Sequence, residues 1–83
     1  MSVELHPHAR ERLGERGATE AEIIDTVLSG NPFPAKFGRT GFRKTFPYDA
    51  KWRGRIDAHN EVEVITVEMA TGMLVLTVIT RYF

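Results

Sequence analysis

The chain divides where its hydrophobic period changes. Leu5, Ala9 and Leu13 recur at i, i+4 and i+8, a narrow apolar stripe along one side of a helix. Pro7 suits the first turn of that helix, where its missing N–H is not needed. Gly17 suits a left-handed cap at its end, so the spacing predicts a helix over about residues 6–17. Thr19-Glu20-Ala21-Glu22 reads as a capping box with Thr19 at the N-cap. Ala21, Ile24, Val27 and Leu28 then supply the buried face of a second helix over 19–29. Gly30, Asn31-Pro32 and Pro34 stop it, and residues 30–41 (GNPFPAKFGRTG) read as one long irregular loop. Both helices are short and need a surface to pack on.

From Phe42 the period falls to two. Phe42, Lys44 and Phe46 alternate with Arg43 and Thr45, the pattern of a half-buried strand. Residues 47–52 read as a connecting turn, residues 53–58 as a second strand with one charged face, and His59-Asn60 as a tight turn. Residues 61–69 (EVEVITVEM) and 73–82 (MLVLTVITRY) are rich in β-branched side chains and joined by Ala70-Thr71-Gly72, a hairpin. MLVLTVI is apolar on both parities, as expected of a central strand covered on both faces. The fold predicted is therefore α+β, with two N-terminal helices on one face of a four-stranded antiparallel meander formed by residues 42–83.

Eighty-three residues make one domain, 1–83, with a modest core. The absence of cysteine excludes disulfides, thiolate zinc sites and cysteine nucleophiles, and fits a reducing cytoplasm. No stretch approaches the roughly 18–20 apolar residues that span a membrane, and MSVELHPH lacks a signal-peptide core. A soluble cytoplasmic protein, not associated with membranes, is expected. Net charge is zero, yet residues 36–55 hold seven of the eleven basic residues against one acid, Asp49. A neutral total thus conceals a segregated basic segment.

Residues 6–17 (HPHARERLGERG) are the first place chemistry could reside. His8, Arg12 and Arg16 share one helical row about 100° from the apolar stripe, with no acid in it. One reading is a solvated helix whose glutamates and arginines form weak surface pairs. The other is an anion site, two guanidiniums forking onto phosphate oxygens beside an imidazole that can move a proton. At the far end of the chain, alternation puts Thr80 and Tyr82 on a face with Leu74, Leu76 and Val78, either as the rim of the core or as hydroxyls presented to helix one. Arg43 and Lys44 in FRKTF, and Arg53 and Arg55 in KWRGR, interleave with aromatics, either to grip single-stranded nucleic acid or as a solvated strand face. His6-x-His8 lacks the partners of a metal site, and neither a metal nor a cofactor is expected.

The pattern His8-Ala9-x-x-Arg12-x-x-x-Arg16-Gly17, followed by a capped helix and strands ending in V-x-T-x-Y, resembles a family of small, largely uncharacterised bacterial domains. That family is placed near the RelE-like toxins, within the barnase-, EndoU-, colicin- and RelE-like ribonuclease group. The resemblance implies metal-independent RNA cleavage by general acid–base chemistry. It implies catalytic roles for His8, Arg12, Thr80 and Tyr82, with Arg16 and one of Arg43 or Arg55 as phosphate clamps. It also implies an RNA substrate and a cognate antitoxin; a homodimer is a further expectation. The zero net charge and the lack of a glutamate base beside a basic strand depart from that pattern. The alternative is a non-catalytic nucleic-acid- or protein-binding module of the same fold.

Overall fold

The structure, a computed structural model, describes residues 2–13, 18–52 and 55–82, with backbone alone for 48–52 and 55–58. In chain order the elements are β1 (Ser2–Leu5), α1 (Pro7–Glu11), α2 (Glu20–Ser29), β2 (Asn31–Pro34), a 3-10 turn (Lys36–Gly38), β3 (Thr40–Trp52), β4 (Arg55–Met69) and β5 (Gly72–Tyr82). The α+β class holds, but the sheet is five-stranded and mixed, ordered β1-β5-β4-β3-β2, instead of a four-stranded antiparallel meander. β1 lies parallel to β5, pairing Ser2 with Gly72 through Leu5 with Val75. The other pairings are antiparallel.

Leu5 thus belongs to a strand, not to the stripe of the first helix. Ser2-Val3-Glu4-Leu5 alternates exposed and buried positions, and it is pairing with the distant β5 that selects this period. The step from strand to helix is tight. His6 N–H donates to the Val75 carbonyl at 2.9 Å, and the His6 Nδ1 accepts from the backbone of His8 at 3.1 Å. His6 is therefore the N-cap of α1, with Pro7 in the first turn behind it. The regular helix is described only to Glu11, with Arg12 as a still helical C-cap (φ −89°, ψ −3°). The expected extension to Gly17, and Arg16 with it, lie outside the described residues.

α2 forms where its capping box predicts. Thr19 Oγ1 accepts from Glu22 N–H at 3.1 Å, and Glu22 Oε1 accepts from Thr19 N–H at 2.9 Å. Its buried face is turned by about one residue from the expected one. Ile23, Thr26 and Val27 are buried, whereas Ala21 and Leu28 are exposed. Thr26 tolerates burial because its hydroxyl donates back to the Glu22 carbonyl at 2.7 Å. That shift packs Ile23 and Val27 with Ala9, Leu5, Val62, Val64, Val75 and Val78 into one core between the helices and the sheet.

The predicted loop 30–41 contains real structure. β2 pairs Asn31–Pro34 with Arg43–Thr40, and its two prolines sit in an edge strand, where a missing N–H does least harm. The turns expected at 47–52 and at His59-Asn60 are strand instead. β3 and β4 pair on from Pro47↔His59 to Trp52↔Arg55, with a register shift between Pro47 and Ala50 that accommodates the proline. Asn60 is buried between Phe46 and Tyr82 in register, two-sided pairing that overrides its turn propensity.

β5 departs from simple alternation. Its register with β4 slips between Ile65↔Thr77 and Thr66↔Val75, so Leu76 is the extra residue of a bulge. Val75 and Val78, three apart, both face the core. Thr80 and Tyr82 therefore share a face with Val78 and Val75, not with Leu76 and Leu74. Both helices contribute to the single core on that face, while the 35–39 turn borders the other face at Ile65 and Thr77. The other face carries half-buried Leu74, Ile65 and Ile79, and a charge ladder in which Arg43 meets Glu63 at 2.9 Å and Arg81 meets Glu61 at 3.8 Å.

Gly72 closes the β4–β5 hairpin at φ 151°, and a Cβ there would collide with the Ser2 carbonyl of β1. Gly38, at φ 70°, has open space around its Cα. Gly72→Ala is expected to cost about 1–3 kcal/mol by combining strain with displacement of β1, and Gly38→Ala about 1 kcal/mol or less, as read from urea-unfolding midpoints.

Candidate functional site

α1 lies against β5 just beyond the point where β1 stops pairing. From Leu76 onward the β5 edge on that side has no strand partner among the described residues, and α1 flanks it instead. Between them is a cleft of about 80 Å³ lined by His8, Ala9, Arg12, Leu76, Thr77 and Val78. His8 and Arg12 reach it because they stand one turn apart and Arg12 keeps helical backbone angles. Ala9, on the adjoining face of the helix, is buried and packs in the core cluster that includes Val78.

Electrostatically the two side chains stand apart from the other described cations around them. Arg10 of the same helix meets Glu20 at 3.1 Å, Arg43 is held by Glu61 and Glu63, Lys44 by Asp25, and Arg81 by Glu61. Neither His8 nor Arg12 has a side-chain hydrogen bond or ion pair among the described residues. A guanidinium and an imidazole at one small cleft are suited to a phosphate- or carboxylate-sized anion.

The candidate residues are brought together only in part. His8 and Arg12 share the cleft, and Thr77 joins them. Thr80 and Tyr82 lie two and four residues beyond Val78 on the same face of β5, roughly 7 and 13 Å farther along the strand, and do not line it. Tyr82 is opposite Asn60, whose buried Oδ1 has no hydrogen-bond partner among the described residues. Arg16 and Arg53 lie outside the described residues, and of Arg55 only the backbone is described. Distance along β5 explains the difference, not the face: the register from Thr77 to Tyr82 is unbroken, and α1 reaches only as far as Val78.

Arg43 and Lys44 are engaged within the fold. The Arg43 guanidinium stacks over the Phe33 ring at 4.8 Å while bonding Glu63. Lys44 Nζ donates to Asp25 at 2.7 Å and to Ser29 Oγ at 2.8 Å, tying β3 to the last turns of α2. Among the described residues no three His, Asp or Glu side chains group as a metal site, and His6 is occupied as a helix cap. No described helix is long and apolar enough to cross a membrane. Comparison with protein-family models, with curated proteins and with solved structures finds no match to the chain.

The hydrogen bonds from Lys44 and then Ser29 hold the Asp25 carboxyl below its ordinary value of 3.8. A depressed acid contributes stability that is complete above the unfolded value and is lost as pH falls through the folded one. Wild-type stability is therefore expected to decline as pH drops below about 4, and Asp25→Asn to flatten that decline. Chemical unfolding measured across this window checks it, with Lys44→Met expected to flatten the profile equally.

Proposed function

We propose that the chain is a RelE-like domain that binds RNA and cleaves it without a metal, using the cleft between α1 and β5. The observation that carries this reading is that His8 and Arg12, which have no side-chain partner among the described residues, line one cleft, whereas Arg10, Arg43 and Lys44 are matched to acids. In the reaction the ribose 2′-oxygen attacks the adjacent phosphorus and the 5′-oxygen leaves, giving a cyclic phosphate and a free hydroxyl. His8 takes or returns the proton, Arg12 neutralises the charge that builds on the phosphoryl oxygens, and Arg16 extends that clamp. Thr80 and Tyr82, farther along β5, take the neighbouring phosphate rather than the scissile one. In this reading the domain works in the cytoplasm, its protein partner is an antitoxin that blocks the cleft, and a homodimer is compatible with it.

A second reading, a non-catalytic nucleic-acid- or protein-binding module, is favoured by Thr80 and Tyr82 not lining the cleft that holds His8. The two separate on one experiment. Purified protein is incubated with labelled RNA in EDTA, and products are resolved on a gel. His8→Ala is expected to slow cleavage by roughly 10²- to 10⁴-fold, with RNA binding retained. Arg12→Ala is expected to weaken both binding and cleavage. Wild-type protein that binds RNA in a salt-dependent way but never cuts it would leave only the binding module.

A further inference from the structure

The turn between β2 and β3 carries an arrangement that the cleft does not explain. Phe37 is 88% exposed, the most exposed large apolar side chain among the described residues. It also holds a left-handed backbone (φ 61°, ψ 34°) that a bulky residue rarely adopts. The fold over-determines this conformation. Ala35 N–H donates to the Arg39 carbonyl at 3.0 Å, Arg39 N–H to the Lys36 carbonyl at 3.3 Å, and Phe33 anchors the preceding strand by lying over Gly41. The ring is thereby displayed on a fixed turn instead of being folded into the core.

Its surroundings are cationic. The Arg39 guanidinium lies 5.6 Å from the Phe37 ring centroid, and neither Arg39 nor Lys36 has an acidic partner among the described residues. Ala35, Lys36, Phe37 and Arg39 border a hollow of about 360 Å³ against Ile65 and Thr77 of the sheet. Thr77 also lines the His8–Arg12 cleft. Two sites of one charge sign, one anion-sized and one aromatic-walled, therefore meet at a single residue on β5.

We infer that Phe37 is a nucleobase-stacking platform, with Lys36 and Arg39 on the flanking phosphates of a single RNA strand that passes Thr77 into the His8–Arg12 cleft. This rests on the RNA reading of that cleft and extends it with a specificity subsite. An exposed ring bracketed by cations without acidic partners among the described residues matches the way unstacked bases and their backbone are gripped, and every base offers a face to it. Purines stack more strongly than pyrimidines, so the subsite favours a purine.

Fluorescence anisotropy with labelled 2′-O-methyl oligoadenosine and oligouridine of about twelve nucleotides tests this without cleavage, because the nucleophile is blocked. Phe37→Asn keeps a residue that tolerates the left-handed backbone while deleting the ring. It is expected to weaken oligoadenosine binding by roughly 5- to 150-fold, to erase the preference over oligouridine, and to leave the salt dependence unchanged. Phe37→Trp should bind as tightly as wild type. Lys36→Gln should lower the slope of log affinity against log salt by roughly 0.7, one phosphate's worth. If Phe37→Asn binds like wild type while Arg12→Ala is weakened, the stacking site is refuted and the cleft reading stands. If Phe37→Asn is weakened while Arg12→Ala is not, the platform stands and the cleft reading falls. Wild-type protein that binds neither oligonucleotide refutes both.

Discussion

The parallel pairing of Ser2–Leu5 with Gly72–Val75 is the constraint on which the functional end of the molecule depends. It joins residues about as far apart in sequence as the chain allows, a contact whose loop-closure entropy must be offset by burial of Leu5 and Val75 and by the ladder itself. The pairing lasts only four residues. Where it ends, the His6 backbone makes one more bond to Val75 and its imidazole caps α1, so the helix leaves the sheet at a determined point and angle. His8 and Arg12 face β5 for that reason. Gly72 permits the arrangement, since any side chain there would occupy the space of the β1 backbone.

The second organising feature is how charge is distributed. Most described cations near the helices and sheet are held by acids: Arg10 by Glu20, Arg43 by Glu61 and Glu63, Lys44 by Asp25. Exposed pairs of this kind add at most about 1 kcal/mol each to stability, but they lower the positive potential of the surfaces they occupy. The positive segment 36–55 that the composition reveals is thus partly neutralised by acids from α2 and β4. Among the described residues, three cations without an acidic partner, Arg12, Lys36 and Arg39, lie around Thr77 on either side of β5. A chain of zero net charge can in this way keep a local positive field.

How much was legible varied with the range of the interaction. The capping box at Thr19–Glu22 was readable because its donors and acceptors are three residues apart, and α2 begins there. The Phe42/Lys44/Phe46 alternation was readable for the same reason, and Phe42 and Phe46 pack against the core. The buried face of α2 was misjudged because Thr26 counts as polar in a pattern, while in the fold its hydroxyl is satisfied by its own helix. In the candidate site, His8 and Arg12 were found because one helical turn links them. Thr77 was missed because alternation puts it off the core face, and no local pattern shows that α1 meets the β5 edge at Leu76–Val78. Phe33 and Phe37 look alike in GNPFPAKFGRTG, yet one lies over Gly41 and the other stands in solvent.

By itself the sequence determined the α+β class, the start of α2, the β4–β5 hairpin and the acid-free spacing of His8 with Arg12, all products of contacts within a few residues. The tertiary structure alone decided that residues 2–5 form a strand, that the sheet has five strands in mixed orientation, and that the helices cover one face. It also decided which threonine of β5 lines the cleft with His8. Each of these depends on pairing between segments distant in the chain, where the free energy comes from partners that no local pattern contains.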